Sequence, residues 1–203
     1  MSNPSKRQIL VVDDNAGVRE TFSMLLVSTG YEVAVAEDGI AALAQLKEAV
    51  PDVIVSDLEM PRMSGFELLS VVRRRFPQIL TVAMSGAYPD DQLPASVIAD
   101  AFCAKGQHPR NLFSTIERLI ASGPDRWTAH EREAVPAWIP RNGHDSYGAP
   151  YVMLTCEDCL RVFQLEVAEE TTGKVIEIPC RFCPNTNRYI IEPAGDAVQQ
   201  AIA

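Results

Sequence analysis

Long hydrophobic runs are missing from this sequence, since none approaches the roughly 18 residues that indicate a membrane-spanning helix. The first residues are polar and lack the apolar core of a secretory signal. A basic domain is missing too, because the formal net charge is −9 and the parts over 1–121, 122–150 and 151–203 are each acidic overall. This disfavours a broad electrostatic surface for nucleic acid. We therefore predict a cytoplasmic protein with no membrane partner.

Short apolar runs alternate with amphipathic stretches up to about residue 121. The predicted strands are Ile9–Val12, Val33–Ala36, Val53–Ser56, Leu80–Met84 and Ala101–Cys103. Helical spacing predicts helices that end before Gly30, begin after Asp38, span Gly65–Arg75, start near Pro94 and span Asn111–Ile120. This alternation predicts an α/β domain over residues 6–121, with a doubly wound, five-stranded parallel sheet.

Periodicity disappears over residues 122–150, where prolines and glycines recur, and we interpret this segment as a linker. Its apolar residues Trp127, Trp138 and Ile139 are expected to dock onto one of the two flanking domains, and a partner-binding motif is the alternative. From residue 151 the period becomes two, which predicts a small antiparallel β domain over 151–193, followed by a tail over 194–203. The predicted strands are Tyr151–Thr155, Val162–Val167, Val175–Ile178 and Arg188–Ile191.

Three aspartates follow predicted strands directly. Asp13 and Asp14 come after the first strand, and Asp57 comes after the third. Because working sites of parallel sheets lie at the carboxyl ends of the strands, we expect these carboxylates to lie together. Their mutual repulsion favours a hard divalent cation, and Mg²⁺ suits such oxygen ligands. Ser85 and Lys105 follow the next two strands, which completes a set of groups suited to phosphoryl transfer onto a carboxylate.

Residues 6–121 resemble the receiver domain of two-component response regulators. The resemblance rests on the order and spacing of four motifs, namely Ile9–Asn15 (ILVVDDN), Asp57–Gly65 (DLEMPRMSG), Ala83–Gly86 (AMSG) and Ala101–Lys105 (AFCAK). It implies a flavodoxin-like receiver fold and a role as a phosphorylation switch rather than an enzyme.

The resemblance also implies the roles of the acidic residues. Asp57 accepts phosphate from a phosphohistidine of a sensor histidine kinase or phosphotransfer protein. Asp14 and Asp57 bind Mg²⁺ directly, Asp13 acts mainly through water, and the backbone carbonyl of Glu59 completes the protein ligands.

Three further residues take roles by the same resemblance. Ser85 and Lys105 hold phosphoryl oxygens, and Phe102 occupies the position of the switch aromatic residue, where it can report only by packing because it lacks a hydroxyl. Gly106 stands where family members usually carry proline. This disfavours a cis peptide bond there, since a non-proline cis bond costs about 2.5–4 kcal/mol.

The cysteines are concentrated in the last domain. Cys103 stands alone, and we interpret it as a small buried hydrophobe. The other four form a C-x₂-C-x₂₀-C-x₂-C pattern, which fits tetrahedral Zn²⁺ and resembles a zinc ribbon. The ligands would be Cys156, Cys159, Cys180 and Cys183.

We expect the stretch between the two pairs to form one hairpin, with a turn near Gly173, that brings both pairs to one end of a small sheet. Metal binding would then stabilise this domain, whose apolar residues are few, while the receiver core would be independent of the metal. The alternatives are a ribbon that folds without metal and thioredoxin-like redox chemistry, which the strand-like flanks disfavour.

Together these features predict a response regulator that is phosphorylated on Asp57 and docks a partner protein through its zinc-ribbon-like module. One alternative is a transcription regulator that binds DNA through the ribbon, which the acidic charge disfavours. Another is a phosphorylation-independent, receiver-like adaptor, against which the complete set of acceptor-site residues argues.

Overall fold

The computed structural model describes residues 6–87, 98–108, 110–122, 137–139, 143–144, 150–168 and 172–191. The first part contains a five-stranded parallel sheet with strand order β2-β1-β3-β4-β5. Strands β1 to β5 are Gln8–Val12, Glu32–Ala36, Val53–Asp57, Leu80–Ser85 and Ala101–Ala104. Helices α1 to α4 are Ala16–Ser28, Gly39–Glu48, Gly65–Arg75 and Arg110–Ser122. This architecture confirms the predicted α/β fold, while the helix predicted near Pro94 lies outside the described residues.

Side-chain oxygens cap the helices that follow strand ends. The side chain of Asn15 accepts hydrogen bonds from two backbone amides at the start of α1, and Asp38 and Ser64 each accept one at the start of α2 and α3. Such caps satisfy amides that have no partner inside the helix. They fix the points where the chain leaves the sheet edge and turns back.

Alternate residues of the central strands face two different cores. Leu10 of β1 and Ile54 of β3 pack with α2 and α3, whereas Ile9 and Val55 pack with α1 and α4. Strands buried on both faces are typical of parallel sheets covered by helices. Cys103 belongs to the second core, which confirms its interpretation as a buried hydrophobe.

Among the residues that the structure describes, six short strands follow the parallel sheet and its helices. Strands β6 to β11 are Ala137–Ile139, Gly143–His144, Pro150–Thr155, Val162–Glu166, Val175–Pro179 and Thr186–Ile191. They form two three-stranded sheets with orders β7-β8-β9 and β10-β11-β6. Their pairs are antiparallel apart from β6 with β11, which are parallel.

Strand pairing corrects the predicted hairpin. Val162–Glu166 and Val175–Pro179 do not pair with each other but belong to different sheets, each beside its own sequence neighbour. The 20-residue stretch between the cysteine pairs thus connects two hairpins. The physical reason is that a tight turn favours pairing of the strands that flank it, and each CxxC motif supplies such a turn.

The predicted linker over 122–150 contains two of the short strands, β6 and β7. Ile139 of β6 is buried in the core of the C-terminal sheets, which confirms the expected docking for this residue. Trp127 and the side chain of Trp138 lie outside what the structure describes, as does the tail over 194–203. The boundaries at 121 and 150 remain predictions.

Helix α3 lies between the receiver sheet and the C-terminal strands, with β6 beside it. Residues on both of its sides are therefore buried, including Glu67, Ser70 and Arg73 as well as the apolar ones. Arg74 forms an ion pair with Glu157 and donates a hydrogen bond to the backbone carbonyl of Arg188. The C-terminal strands are thus docked on the α2–α3 side of the receiver.

Leu160 completes this contact, because its side chain joins the receiver core formed by α2 and α3. This contact argues against the expectation that the receiver core is independent of the metal, which stays untested.

In the part of the chain that the structure describes, every helix is too short or too polar to cross a membrane.

Candidate functional site

Three carboxylates meet at the carboxyl edge of the sheet. Strands β1 and β3 are neighbours, so Asp13 and Asp14 emerge beside Asp57, and one oxygen of each lies within 4.8 Å of the others. Asp13 and Asp57 are buried, whereas Asp14 is exposed. The backbone amide of Glu59 donates a hydrogen bond to Asp57 Oδ1 at 3.3 Å. The structure therefore brings together the acidic residues that the sequence singles out.

Lys105 contacts two of these carboxylates. Its Nζ lies 2.7 Å from Asp13 Oδ2 and 2.8 Å from Asp57 Oδ2. A hydrogen bond of 2.7 Å from the Lys105 amide to the Ser85 carbonyl holds this residue at the end of β5 beside β4. The ammonium is therefore in hydrogen-bond contact with Asp57, the residue that the sequence predicts as phosphate acceptor.

Burial and neighbouring charges act in opposite directions on this cluster. Burial raises the pKa of Asp57 above its ordinary value, Asp13 adds to the rise, and Lys105 limits it. Burial alone would lower the pKa of Lys105, but its hydrogen bonds to Asp13 and Asp57 outweigh burial and raise this pKa. The carboxylates and the ammonium thus stabilise each other's charged forms.

The donor set fits a hard divalent cation. The cluster holds three carboxylates, and the Lys105 ammonium contacts two of them, so these four groups carry a formal charge of −2 when all are ionised. Oxygen ligands of this kind, with an exposed member on one side, suit Mg²⁺, which keeps several waters. Asp13, Asp14 and Asp57 would hold the ion, and the carbonyl of Glu59 remains a predicted fourth ligand.

Ser85 and Phe102 lie on the neighbouring strands β4 and β5. Ser85 ends β4, is fully buried, and its Oγ accepts a hydrogen bond from the Ala87 amide at 3.0 Å. Phe102 of β5 is half-buried and packs against the core shared with α2 and α3. Ser85 thus lies beside Lys105 at the end of its strand, Phe102 precedes Lys105 by three residues, and the roles of both remain proposals.

Gly106, next to Lys105, has φ of 90°, a conformation that side chains rarely adopt. The described residues contain no cis peptide bond. The position where family members usually carry proline is thus occupied by a glycine with a left-handed backbone.

Gly65 is a site residue to which the sequence reasoning assigned no role. A Cβ atom there would lie 1.9 Å from the carbonyl oxygen of Asp57, and the Gly65 amide donates to the Leu58 carbonyl at 3.0 Å. Only glycine allows this close approach of α3 to the acceptor strand. The signal in the sequence is the fixed distance between Asp57 and Gly65 in their shared motif.

The cysteines form a second cluster. Cys156 and Cys159 lie in the turn between β8 and β9, here the first cysteine turn, and Cys180 and Cys183 lie in the second cysteine turn, between β10 and β11. All four sulfurs lie within 4.8 Å of one another. The Sγ atoms of Cys156 and Cys183 are 3.6 Å apart, and no disulfide joins them.

Hydrogen-bond donors surround these sulfurs. The Phe182 amide donates to Cys180 Sγ at 3.3 Å, and the Asn187 side chain donates to Cys156 Sγ at 3.5 Å. Burial raises the pKa of Cys180, but hydrogen bonds from backbone amides, led by Phe182, and from neighbouring thiols outweigh burial and lower this pKa to about 7. A backbone hydrogen bond lowers the pKa of Cys183, but burial and the neighbouring thiols outweigh it and instead raise this pKa to about 12. The convergence of the four sulfurs is therefore what fits a tetrahedral site for Zn²⁺ and is consistent with a zinc-ribbon-like module.

Comparison with known proteins identifies the first part of the chain. The response regulator receiver domain family matches residues 9–117, more than half of the chain, which therefore belongs to this family. The chemotaxis response regulator CheY4 of Vibrio cholerae is 33% identical with a TM-score of 0.52, and the match covers 56% of this chain and 98% of that one. The response regulator TrrA of Thermotoga maritima, in complex with Mg²⁺ and BeF, is 29% identical with a TM-score of 0.52, over 55% and 97% of the two chains.

One curated relative matches less than half of this chain. A protein-glutamate methylesterase/protein-glutamine glutaminase of Anaeromyxobacter dehalogenans is 41% identical over 86 residues, which is 42% of this chain. The chain spans a quarter of that relative's length, since the match covers 25% of it. Receiver domains are signalling switches that are phosphorylated by sensor kinases and typically bind Mg²⁺.

Proposed function

We propose that the chain is a response regulator of a two-component phosphorelay, phosphorylated on Asp57 by a sensor histidine kinase or phosphotransfer protein. The observation that carries the proposal is the bridge from Lys105 Nζ to Asp13 and Asp57 inside a cluster of three carboxylates. A buried carboxylate beside an ammonium and a divalent-cation site is suited to accept a phosphoryl group.

The chain's own residues divide the work of the transfer. An oxygen of Asp57 forms the new bond to phosphorus while the bond to the histidine nitrogen of the donor breaks. Lys105 and Ser85 hold the oxygens of the incoming group. Asp14 and Asp57 would bind Mg²⁺ directly, and Asp13 mainly through water. The ion, when bound, neutralises phosphoryl charge.

Phosphorylation then shifts an equilibrium between two conformations. Ser85 moves toward the phosphoryl group and Phe102 packs inward in the conformation that the phosphoryl group favours. The chain acts as a switch and not as an enzyme on other substrates. It works in the cytoplasm, where reducing conditions keep cysteines available for metal.

The C-terminal module is proposed to be a structural Zn²⁺ site that docks a partner protein. The supporting observation is the convergence of Cys156, Cys159, Cys180 and Cys183 from two separate hairpin turns. DNA is a weaker candidate partner because the chain has a net charge of −9.

The test is phosphorylation of the full chain with acetyl phosphate, followed by intact mass. The wild type gains one phosphoryl group when Mg²⁺ is present and none with a chelator. Asp57→Asn gains none, whereas the control Glu20→Gln, an exposed carboxylate of α1, behaves as wild type. Phosphorylation of Asp57→Asn, or phosphorylation that is independent of Mg²⁺, overturns the proposal.

A further inference from the structure

A groove lies between helix α2 of the receiver and the two cysteine turns. Ile40 and Leu43 of α2 form one wall, and Leu160, which follows the first cysteine turn, contributes to the opposite wall. Its volume of about 340 Å³ is at the small end of the roughly 300–1,000 Å³ typical of ligand clefts. Because its walls come from both parts of the chain, the groove exists only while the C-terminal module is docked.

An exposed aromatic side chain stands at the opening of this groove. Phe182 of the second cysteine turn is 48% exposed, which is unusual for a phenylalanine. It is held in place by an edge-to-face contact with Phe163 at 6.4 Å between ring centroids and by the Arg161 guanidinium 5.4 Å from its own centroid. A fixed, exposed ring beside an apolar cleft is typical of the anchoring points of protein interfaces.

The charge around the groove is opposite to that of the whole chain. Lys47 and Arg161 are its charged lining residues, and among the described residues that line it every other one is apolar. Both are exposed, in a chain whose net charge is −9. The groove is therefore a local cationic and apolar site that complements an acidic and apolar ligand.

We propose that this groove binds a short acidic peptide segment, which places an apolar side chain against Phe182 and carboxylates beside Lys47 and Arg161. This inference rests on the proposed function, in which the C-terminal module docks a partner protein. It assigns the docking site to the groove and the recognition to apolar contact and opposite charge. The receiver helix α2 forms half of the site, so the partner contacts both parts of the chain at once.

A nucleic acid suits the groove less well than a peptide does. Phe182 and the nearby guanidinium groups can stack on a base. However, nucleic-acid grooves track the phosphate backbone with a line of cations, whereas two cations line this groove among the described residues. A second copy of the chain is the other candidate, and the test below separates the three.

The probe is a random peptide library displayed on phage and selected on the full, zinc-loaded chain. Enriched peptides are expected to carry Asp or Glu beside Leu, Ile or Phe. Synthetic copies of them should bind Phe182→Ala and Lys47→Glu about tenfold more weakly or worse, as for an interface anchor. The matched control is Lys174→Glu, an exposed lysine of the same module outside the groove, which should bind as wild type.

Folding of the variants is checked by replacing Zn²⁺ with Co²⁺, whose absorption bands report a tetrahedral thiolate site. Bands that are unchanged in Phe182→Ala and Lys47→Glu show that the cysteine turns remain folded. If the enriched peptides bind Phe182→Ala and Lys47→Glu as tightly as wild type, the groove is not their binding site. Partner docking would then take place elsewhere on the chain. Basic enriched peptides, tighter binding of oligodeoxythymidine, or a dimer in sedimentation that Phe182→Ala abolishes would overturn the acidic peptide as occupant. Phosphorylation of Asp57 is measured independently, so its failure does not imitate any of these results.

Discussion

Lys105 links two members of the carboxylate cluster, because its ammonium contacts both Asp13 and Asp57. Motif position and strand order alone predict that these groups lie close. The exact partner of the ammonium depends on side-chain conformation, which the sequence does not determine.

Replacing this lysine separates metal binding from the phosphoryl response. Lys105→Ala is expected to bind Mg²⁺, since all three carboxylates remain, but to respond poorly to beryllofluoride, a mimic of the phosphoryl group. The measurement is the change in the amide NMR shifts of Ser85 and Phe102 on adding beryllofluoride, with Lys174→Ala as control. A full response in Lys105→Ala would show that the lysine does not hold the phosphoryl oxygens.

Glu67 is a buried carboxyl group at the contact between α3 and the C-terminal module. Burial raises its pKa from 4.5 to about 8, and hydrogen-bonding groups of Thr155 limit the rise. Because the folded chain binds this proton more tightly than the unfolded chain, the free energy of unfolding falls as pH rises from about 4.5 to about 8.

An uncharged replacement should remove this pH-dependent loss. Glu67→Gln is expected to be more stable than wild type by roughly 4 kcal/mol at pH 8, with little difference near pH 4.5. Urea unfolding of both proteins across this pH range measures the difference, and comparison with wild type cancels the contributions of Glu157 and Tyr189 nearby. A difference that is independent of pH would mean that Glu67 does not titrate in this range.

Leu160 combines an unfavourable backbone with a favourable side chain. Its φ of 54° is left-handed, where glycine is preferred, yet its side chain is buried in the receiver core. The sequence alone does not show that this leucine adopts a left-handed backbone. The structure gives the reason for a leucine there, which is docking of the C-terminal module.

Two variants separate these effects. Leu160→Ala is expected to lose about 2–3 kcal/mol of stability, since it removes packing and keeps the backbone strain. Leu160→Gly removes the same packing and the strain, so it should be more stable than Leu160→Ala by about 1 kcal/mol. Thermal unfolding compares the two variants with wild type, and equal stability of Leu160→Ala and wild type would show that the side chain contributes nothing to docking.

At the scale of elements, local signals predict the receiver well. The caps Asp38 and Ser64, together with the periodicity of apolar residues, determine where α2 and α3 begin, and the observed bounds of α3 are those predicted. Strands of the parallel sheet are continuous apolar runs because helices cover both faces.

Pairing of the C-terminal strands could not be predicted in the same way. These strands are short and differ in pattern, from the apolar run of β8 to the mixed sequence of β9, so their residues do not specify one register or partner. The linker strand β6 even joins β11 in parallel, a contact between distant parts of the sequence that no local pattern encodes.

At the scale of the whole molecule, the docking of the module on α3 connects the two clusters of ligand residues. Thr155, next to Cys156, is fully buried, and its Oγ1 donates a weak hydrogen bond to Met63 Sδ at 3.8 Å. Met63 belongs to the loop between Asp57 and α3. The sequence predicts both clusters, but their physical connection depends on a surface contact that only the folded chain shows.

Metal removal is therefore expected to change amide hydrogen exchange in the receiver as well as in the cysteine-bearing module. A chelator is expected to unfold the C-terminal module and to raise amide hydrogen exchange in α3 and in the loop at residues 58–64, which the module covers. A Cys156→Ser/Cys180→Ser variant should show the raised exchange without chelator and no further change with it. Exchange that rises only within residues 150–191 would mean that the receiver does not depend on the module.

The central claim is that Asp57 is the phosphate acceptor, and mapping the modified residue tests it most directly. The chain is phosphorylated with acetyl phosphate and Mg²⁺ and treated with borohydride, which reduces an aspartyl phosphate to homoserine. Peptide sequencing by mass spectrometry then locates the homoserine. We predict it at position 57 alone, and homoserine at Asp13, Asp14 or another aspartate instead would contradict the account.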